Sequence, residues 1–203
     1  MRNSICLWRN SYISTDTSDA ESICQLFYVY VGIAVAAVTA PAFEELAIGA
    51  GAFWFGFLTL IGLLVLVTIR YMKYKEIPEP AKPLFCIYAA PTSLCVAGYV
   101  QSVTPKSREF LLAMLLVATV LYVLALVKAI SYLKLKFYPS YAAFTFPFVI
   151  SAIATKQTMV CLANMKQPIP MLRYVVLIET VIAVLFMIYT FIRFLQFIFV
   201  DHK

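Results

Sequence analysis

Six stretches of the chain stay apolar for about 20 residues, the length an α-helix needs to cross a hydrocarbon core. They are residues 22–42, 47–69, 84–103, 110–127, 137–155 and 174–200. The breaks between them are short and carry prolines or charges, at 41–45, 78–83, 105–109, 134–136 and 166–173, which suits loops. Short connections make sequence neighbours antiparallel. The pattern predicts an all-α integral membrane protein of six transmembrane helices in three antiparallel hairpins, with a polar, aperiodic tail at 1–21 and the membrane domain at 22–203. Arg2 and Arg9 ahead of the first run give it the look of a secretory leader. Asp16, Asp19 and Glu21 also precede it, however, and Pro41 follows the plausible cleavage residue Ala40, so the run is expected to remain as a span.

Composition strengthens this picture. Of 203 residues, 63% are hydrophobic and 13% charged, which leaves too little polar surface to cover a water-facing globule. Disordered, nucleic-acid-binding and disulfide-stapled classes fall with the same arithmetic. The lipid bilayer is the expected partner and nucleic acid is not. Cys6, Cys24, Cys86, Cys95 and Cys161 show no C-x-x-C spacing and the one histidine is His202, so no metal site and no cofactor are expected.

The net charge of +6 is read by its position around the spans. With the N-terminus inside, the inner Lys and Arg are Arg2, Arg9, Arg70, Lys73, Lys75, Lys82, Lys128, Lys134, Lys136, Arg193 and Lys203, and the outer ones are Lys106, Arg108, Lys156, Lys166 and Arg173. This bias predicts cytoplasmic termini. The expected location is a bacterial plasma membrane.

The spans differ in character. Gly32, Ala36 and Ala40 recur every four residues in the first, Ala89, Ser93 and Ala97 in the third, and Ala143, Pro147, Ser151 and Thr155 in the fifth. Residues four apart share a helix face, so each odd span carries a narrow strip that another backbone can approach. Pro91 and Pro147 lie inside two of these spans and are expected to kink them. The odd spans therefore suit an inner ring, side by side, with Gly32, Ala89, Ala97 and Ser151 toward a common open groove. Ordinary helix packing would use the same strips equally well. The fourth and sixth spans are bulky and free of Pro and Gly, as lipid-facing helices are; the second, with Gly49, Gly51, Gly56 and Gly62, departs from this and is expected to pack more tightly.

At this point a family resemblance emerges. The run Phe137-Tyr-Pro-Ser-Tyr-Ala-Ala-Phe-Thr-Phe-Pro-Phe-Val-Ile-Ser-Ala-Ile-Ala-Thr155 closely resembles the ninth helix of the tellurite-resistance/C4-dicarboxylate transporter family, which includes plant slow anion channels. Val31-Gly-Ile-Ala-Val-Ala-Ala resembles that family's fifth helix, and Lys82-Pro-Leu-Phe-Cys-Ile-Tyr-Ala-Ala-Pro-Thr-Ser the entry to its seventh. The resemblance covers roughly residues 25 to 200. It implies ten helices as five hairpins around a pseudo-fivefold axis, odd helices lining a central pore for small anions or C4-dicarboxylates such as malate, and trimers with one pore per subunit. Six helices would be the family's fifth to tenth, a C-terminal portion without two of the hairpins.

The resemblance places the family's pore-occluding phenylalanine at Phe146, and at Ala34 the position where some relatives carry a second ring. Helical geometry separately sets Phe146 apart: Phe137, Tyr141, Phe144 and Phe148 form one aromatic stripe, and Phe146 points about 200° from Phe144 at 100° per residue. It can plug a pore or pack as an ordinary aromatic. No charge lies in the middle of the odd spans, which favours passive anion passage over ion-coupled pumping. Candidate pore-lining or kink residues are Gly32, Ala34, Pro91, Thr92, Ser93, Thr145, Pro147 and Ser151, with hydroxyl donors and opened helix termini favouring anions. Lys156 is the candidate pore mouth, its alternative being a lysine snorkelling from a helix end. Glu179 and Arg193 are read as interface residues, too far apart on one helix to pair.

An enzyme is not expected, because no nucleophile with its base and no carboxylate pair stands within the bilayer. Two readings follow: an anion channel or transporter, or a truncated, non-conducting remnant or interaction protein, since three hairpins cannot close a five-hairpin ring.

Overall fold

The computed structural model describes residues 32–73 and 79–199, so the tail at 1–21 and the first part of the first span lie outside the described residues. The described residues form six helices and no strand. These are α1 (Gly32–Phe43), α2 (Leu46–Lys73), α3 (Glu79–Ala89 continuing as Ala90–Ser102), α4 (Arg108–Tyr132), α5 (Pro139–Asn164) and α6 (Leu172–Phe199). All but α1 are long and apolar enough to cross a membrane, and α1 is the visible end of the first span.

Local chemistry sets the breaks. Glu44 takes a left-handed conformation (φ 61°) that ends α1, and its N–H returns to the carbonyl of Pro41 at 3.3 Å. Ser107 caps α4 by accepting the Phe110 N–H, with Glu109 in the first turn. Lys166 (φ 58°) turns the chain between α5 and α6.

Pro91 and Pro147 do not kink continuous α-helices as expected. Each stands in the first turn of an α-segment (Ala90–Ser102 and Phe146–Asn164) that follows a 3₁₀ segment (Glu79–Ala89 and Pro139–Phe144). A proline there removes an N–H that the first turn of an α-helix leaves without a partner anyway. The two helices thus share one construction, tightly wound first and α-helical after the proline.

Neighbouring helices run antiparallel. Gly56 of α2 lies against Ala34 of α1, while Gly49 lies against Ala40. Tyr99 near the end of α3 meets Phe110 at the start of α4 (5.0 Å), and the Cys86 thiol early in α3 donates to the Ala125 carbonyl late in α4. Phe137, Tyr141, Phe144 and Phe148 pack in order against Phe194, Tyr189 and Phe186 of α6. The aromatic stripe is therefore the α5–α6 seam. Helices α3 and α5 run parallel: their 3₁₀ segments touch, and so do their α-segments.

The inner helices are α3 and α5. Of the most apolar window of each span, 72% of α3 and 56% of α5 is buried, against 28%, 33% and 22% for α2, α4 and α6. Leu116, Val120 and Val127 on α4, and Leu177, Val181 and Leu185 on α6, are exposed as a lipid-facing surface requires. The second span does not pack more tightly as a whole. Gly49 and Gly56 meet neighbours closely, whereas Gly51 and Gly62 have open space around them.

The open groove expected of Gly32, Ala89, Ala97 and Ser151 is not formed. Ala89, Ala97 and Ser151 are buried between helices, and Gly32 is exposed. On α1 the contact face is Ala34, Ala37 and Ala40, which fit Gly56, Gly98 and Gly49, whereas Gly32 and Ala36 of the expected series are exposed. Small side chains here bring backbones together, and the space they leave is taken by the neighbouring helix.

Candidate functional site

Helix α5 presents two unlike faces. One buries Phe144, Phe148, Ser151, Thr155, Thr158 and Leu162 against α3, α4 and α6. The other exposes Phe146, Ile153, Lys156 and Val160. Phe146, Ile153 and Val160 are seven apart, a step that drifts only about 20° around a straight helix, so they stand in one line. Phe146 is 50% exposed and Phe144 fully buried, so the two rings do occupy opposite sides.

This line runs into a groove of about 700 Å³, walled by Val100, Gln101, Thr104, Lys106, Ile153, Lys156, Gln157, Val160, Cys161, Asn164 and Met165. Its charged lining residues, Lys106 and Lys156, are both cationic, and Gln101, Gln157 and Asn164 add amides. The side-chain oxygen of Gln157 is enclosed and has no hydrogen-bond partner among the described residues. Lys156 does not end its helix as expected. The expected fifth span ends at Thr155, yet α5 continues eight residues beyond Lys156 to Asn164, about 12 Å at 1.5 Å per residue. The groove accommodates the charge, so the helix need not stop there. A lysine on an apolar helix needs a cavity or a partner to face, and this groove, which receives Lys156, is the candidate site.

The hydroxyl candidates are engaged elsewhere. Thr92 Oγ1 donates to the Ala89 carbonyl at 2.9 Å and Thr145 Oγ1 to Ala142 at 2.8 Å. Ser151 Oγ approaches the Pro147 carbonyl at 2.8 Å and Ser93 Oγ at 2.8 Å, a bridge between α5 and α3 beside the two prolines. Thr92, Ser93 and Ser151 are each less than 5% exposed, as are Ala34, Pro91 and Pro147. A hydroxyl removed from water must find a partner, and these find backbone or each other. Gly32, Thr145, Phe146 and Lys156 keep some exposure.

A family model described as voltage-dependent anion channel matches residues 5–195. The chain belongs to the voltage-dependent anion channel family. The match reaches nearer the N-terminus than the residues 25 to 200 over which the resemblance was read, and takes in most of the segment read as a tail. No curated protein and no solved structure matches the chain. Members of this anion-channel family are channels or transporters, and with its apolar helices the chain is an integral membrane protein of that kind. Sequence reasoning missed Lys106, Gln101, Gln157 and Asn164 as part of this channel-family chain's site. Lys106 had counted only as a loop charge, and no spacing links it to Lys156, fifty residues on; packing of α3 against α5 brings them to one groove.

Glu179 also departs from its reading as an interface residue. It is 4% exposed, inside the seam where α6 meets α5. Arg193 is not its partner; its guanidinium lies 6.0 Å from the Phe137 ring centre.

Proposed function

We propose that the exposed face of α5 is one wall of an anion path, with Lys106 and Lys156 drawing a small anion or C4-dicarboxylate into the groove and Phe146 occluding the way beyond it. The observation that carries this reading is the single line of Phe146, Ile153 and Val160, which joins the cationic groove to the exposed ring on the open side of an inner helix. Basic and amide side chains supply the attraction for anions, in place of the hydroxyls that sequence reasoning favoured. From Phe146 to Lys156 is ten residues, about 15 Å, which separates capture from occlusion.

Among the described residues no helix stands opposite this exposed face. By resemblance the opposite wall belongs to two further hairpins, this chain corresponding to the fifth to tenth helices of the family, with assembly as a trimer. A water-filled path open to hydrocarbon is costly, so the chain alone should conduct little.

The test is anion flux into proteoliposomes carrying the chain fused to the first two hairpins of a relative. Phe146→Ala should raise the flux by removing a ring from the path, and Phe144→Leu on the opposite side should not; leucine is chosen because Phe144 is wholly buried and truncation to alanine would cost about 3–5 kcal/mol. Equal flux for the wild-type and Phe146→Ala fusions, both folded, refutes the occlusion. Robust flux through the unfused chain refutes the need for further hairpins.

A further inference from the structure

The buried faces of α4, α5 and α6 enclose a polar group that the anion path does not use. Glu179 is the eighth residue of α6, about 10 Å from its start, on the buried stripe that continues through Ala183, Phe186 and Thr190. The hydroxyl of Thr155 on α5 lies beside its carboxyl. Its second oxygen, Oε2, is enclosed and has no partner among the described residues, and the phenol of Tyr122 on α4, within electrostatic reach of Glu179, has none either. The Tyr122 ring packs edge-on against Phe148, which in turn stacks on Phe186, so the surroundings are aromatic.

We propose that Glu179 is a proton-binding site inside the membrane, with the proton on Oε2 and the carboxyl seated between the Thr155 and Tyr122 hydroxyls. An ionised carboxylate taken from water into such surroundings needs a counter-charge, and without one it takes up a proton instead. The groups that face Glu179 are Thr155 from α5 and Tyr122 from α4, both neutral. Lys156 is turned about 100° from Thr155 onto the exposed groove side, the charges of α4 (Arg108, Glu109 and Lys128) lie toward its ends, Arg173 is six residues away at the start of α6, and Arg193 is about 21 Å along the axis. Loss of the proton would leave an unpaired charge where three helices join, so the proton governs how firmly α6 holds α5. This inference rests on the packing of α4, α5 and α6 and stands apart from the path proposed on the exposed side of α5.

Infrared spectroscopy of the full chain in lipid, with ¹³C-labelled glutamate, tests it. The wild type should show a protonated carboxyl stretch at neutral pH that is lost in Glu179→Gln and shifted in Thr155→Val, which removes the hydrogen-bond donor. The thermal midpoint of the wild type should fall as pH rises and the proton is withdrawn, whereas that of Glu179→Gln should not follow. If Glu179→Gln fails to fold, the labelled wild type decides alone. Absence of a protonated glutamate stretch between mildly acidic and neutral pH, or its persistence unchanged in folded Glu179→Gln, overturns the proposal.

Discussion

Alanine at position 49 should loosen the joint between α1, α2 and α3. Gly49 is buried, and a methyl group built on it would lie 2.5 Å from Cβ of Ala40, 2.8 Å from Cβ of Ser102 and nearer still to the Ser102 hydroxyl. Carbon pairs settle at about 3.5–4.0 Å, so backbones on two sides must retreat by about 1 Å. The same displacement falls on Ser102, whose hydroxyl donates to the Ala37 carbonyl and ties α3 to α1. Overpacking of this kind costs about 1–3 kcal/mol, and the weakened buried hydrogen bond adds about 1 kcal/mol, giving about 2–4 kcal/mol in all. Gly51 is the internal control. It stands two residues further on the same helix, and an added methyl meets nothing within 4 Å. There alanine removes glycine's conformational freedom and should stabilise the helix by up to about 1 kcal/mol. The two variants should therefore differ by about 2–5 kcal/mol in unfolding free energy, measured by steric trapping in bicelles, with helix content followed by circular dichroism. Equal stabilities for Gly49→Ala and Gly51→Ala would refute the close approach of the three helices.

Two further outcomes follow from the site. Lys156→Gln in the fused channel should lower anion flux about fivefold, the equivalent of about 1 kcal/mol for one unit charge in a wet groove, while Lys156→Arg should retain most of it; unchanged flux in Lys156→Gln would exclude the lysine from the path. A double-mutant cycle of Ser93→Ala and Ser151→Ala should show a coupling of about 0.6 kcal/mol, typical of hydrogen bonds between membrane helices, and strict additivity in the unfolding free energies would mean that the bridge between α3 and α5 is not formed.

Much of the architecture was legible in the chain itself, because a bilayer leaves few solutions: an apolar run of sufficient length must satisfy its own backbone, and it does so as a helix. Among the described residues, the five long apolar helices, the inner character of the third and fifth spans and the outer character of the fourth and sixth all followed from length, side-chain bulk and the placing of Pro and Gly. The motif around Phe146 pointed to the family. Boundaries were less secure wherever a charge appeared, since a lysine reads as the end of a span unless a groove exists to receive it, as one does at Lys156.

Only the tertiary structure decided what the small and polar residues do. Gly49 and Gly51 are the same residue in the same helix, and one is wedged between neighbours while the other stands free. Ser93 and Ser151, hydroxyls without an evident partner in the sequence, are each other's partner across α3 and α5. Thr155 and Lys156 are adjacent in sequence, yet a turn of about 100° puts the first beside Glu179 and the second in the groove. Sequence records the size and polarity of a side chain, whereas its role depends on what stands opposite, and in a bundle the opposite residue comes from a helix tens of positions away. Whether a small side chain lines a void or admits a neighbour is settled by how closely the helices approach, a property of the assembled packing and of no single span.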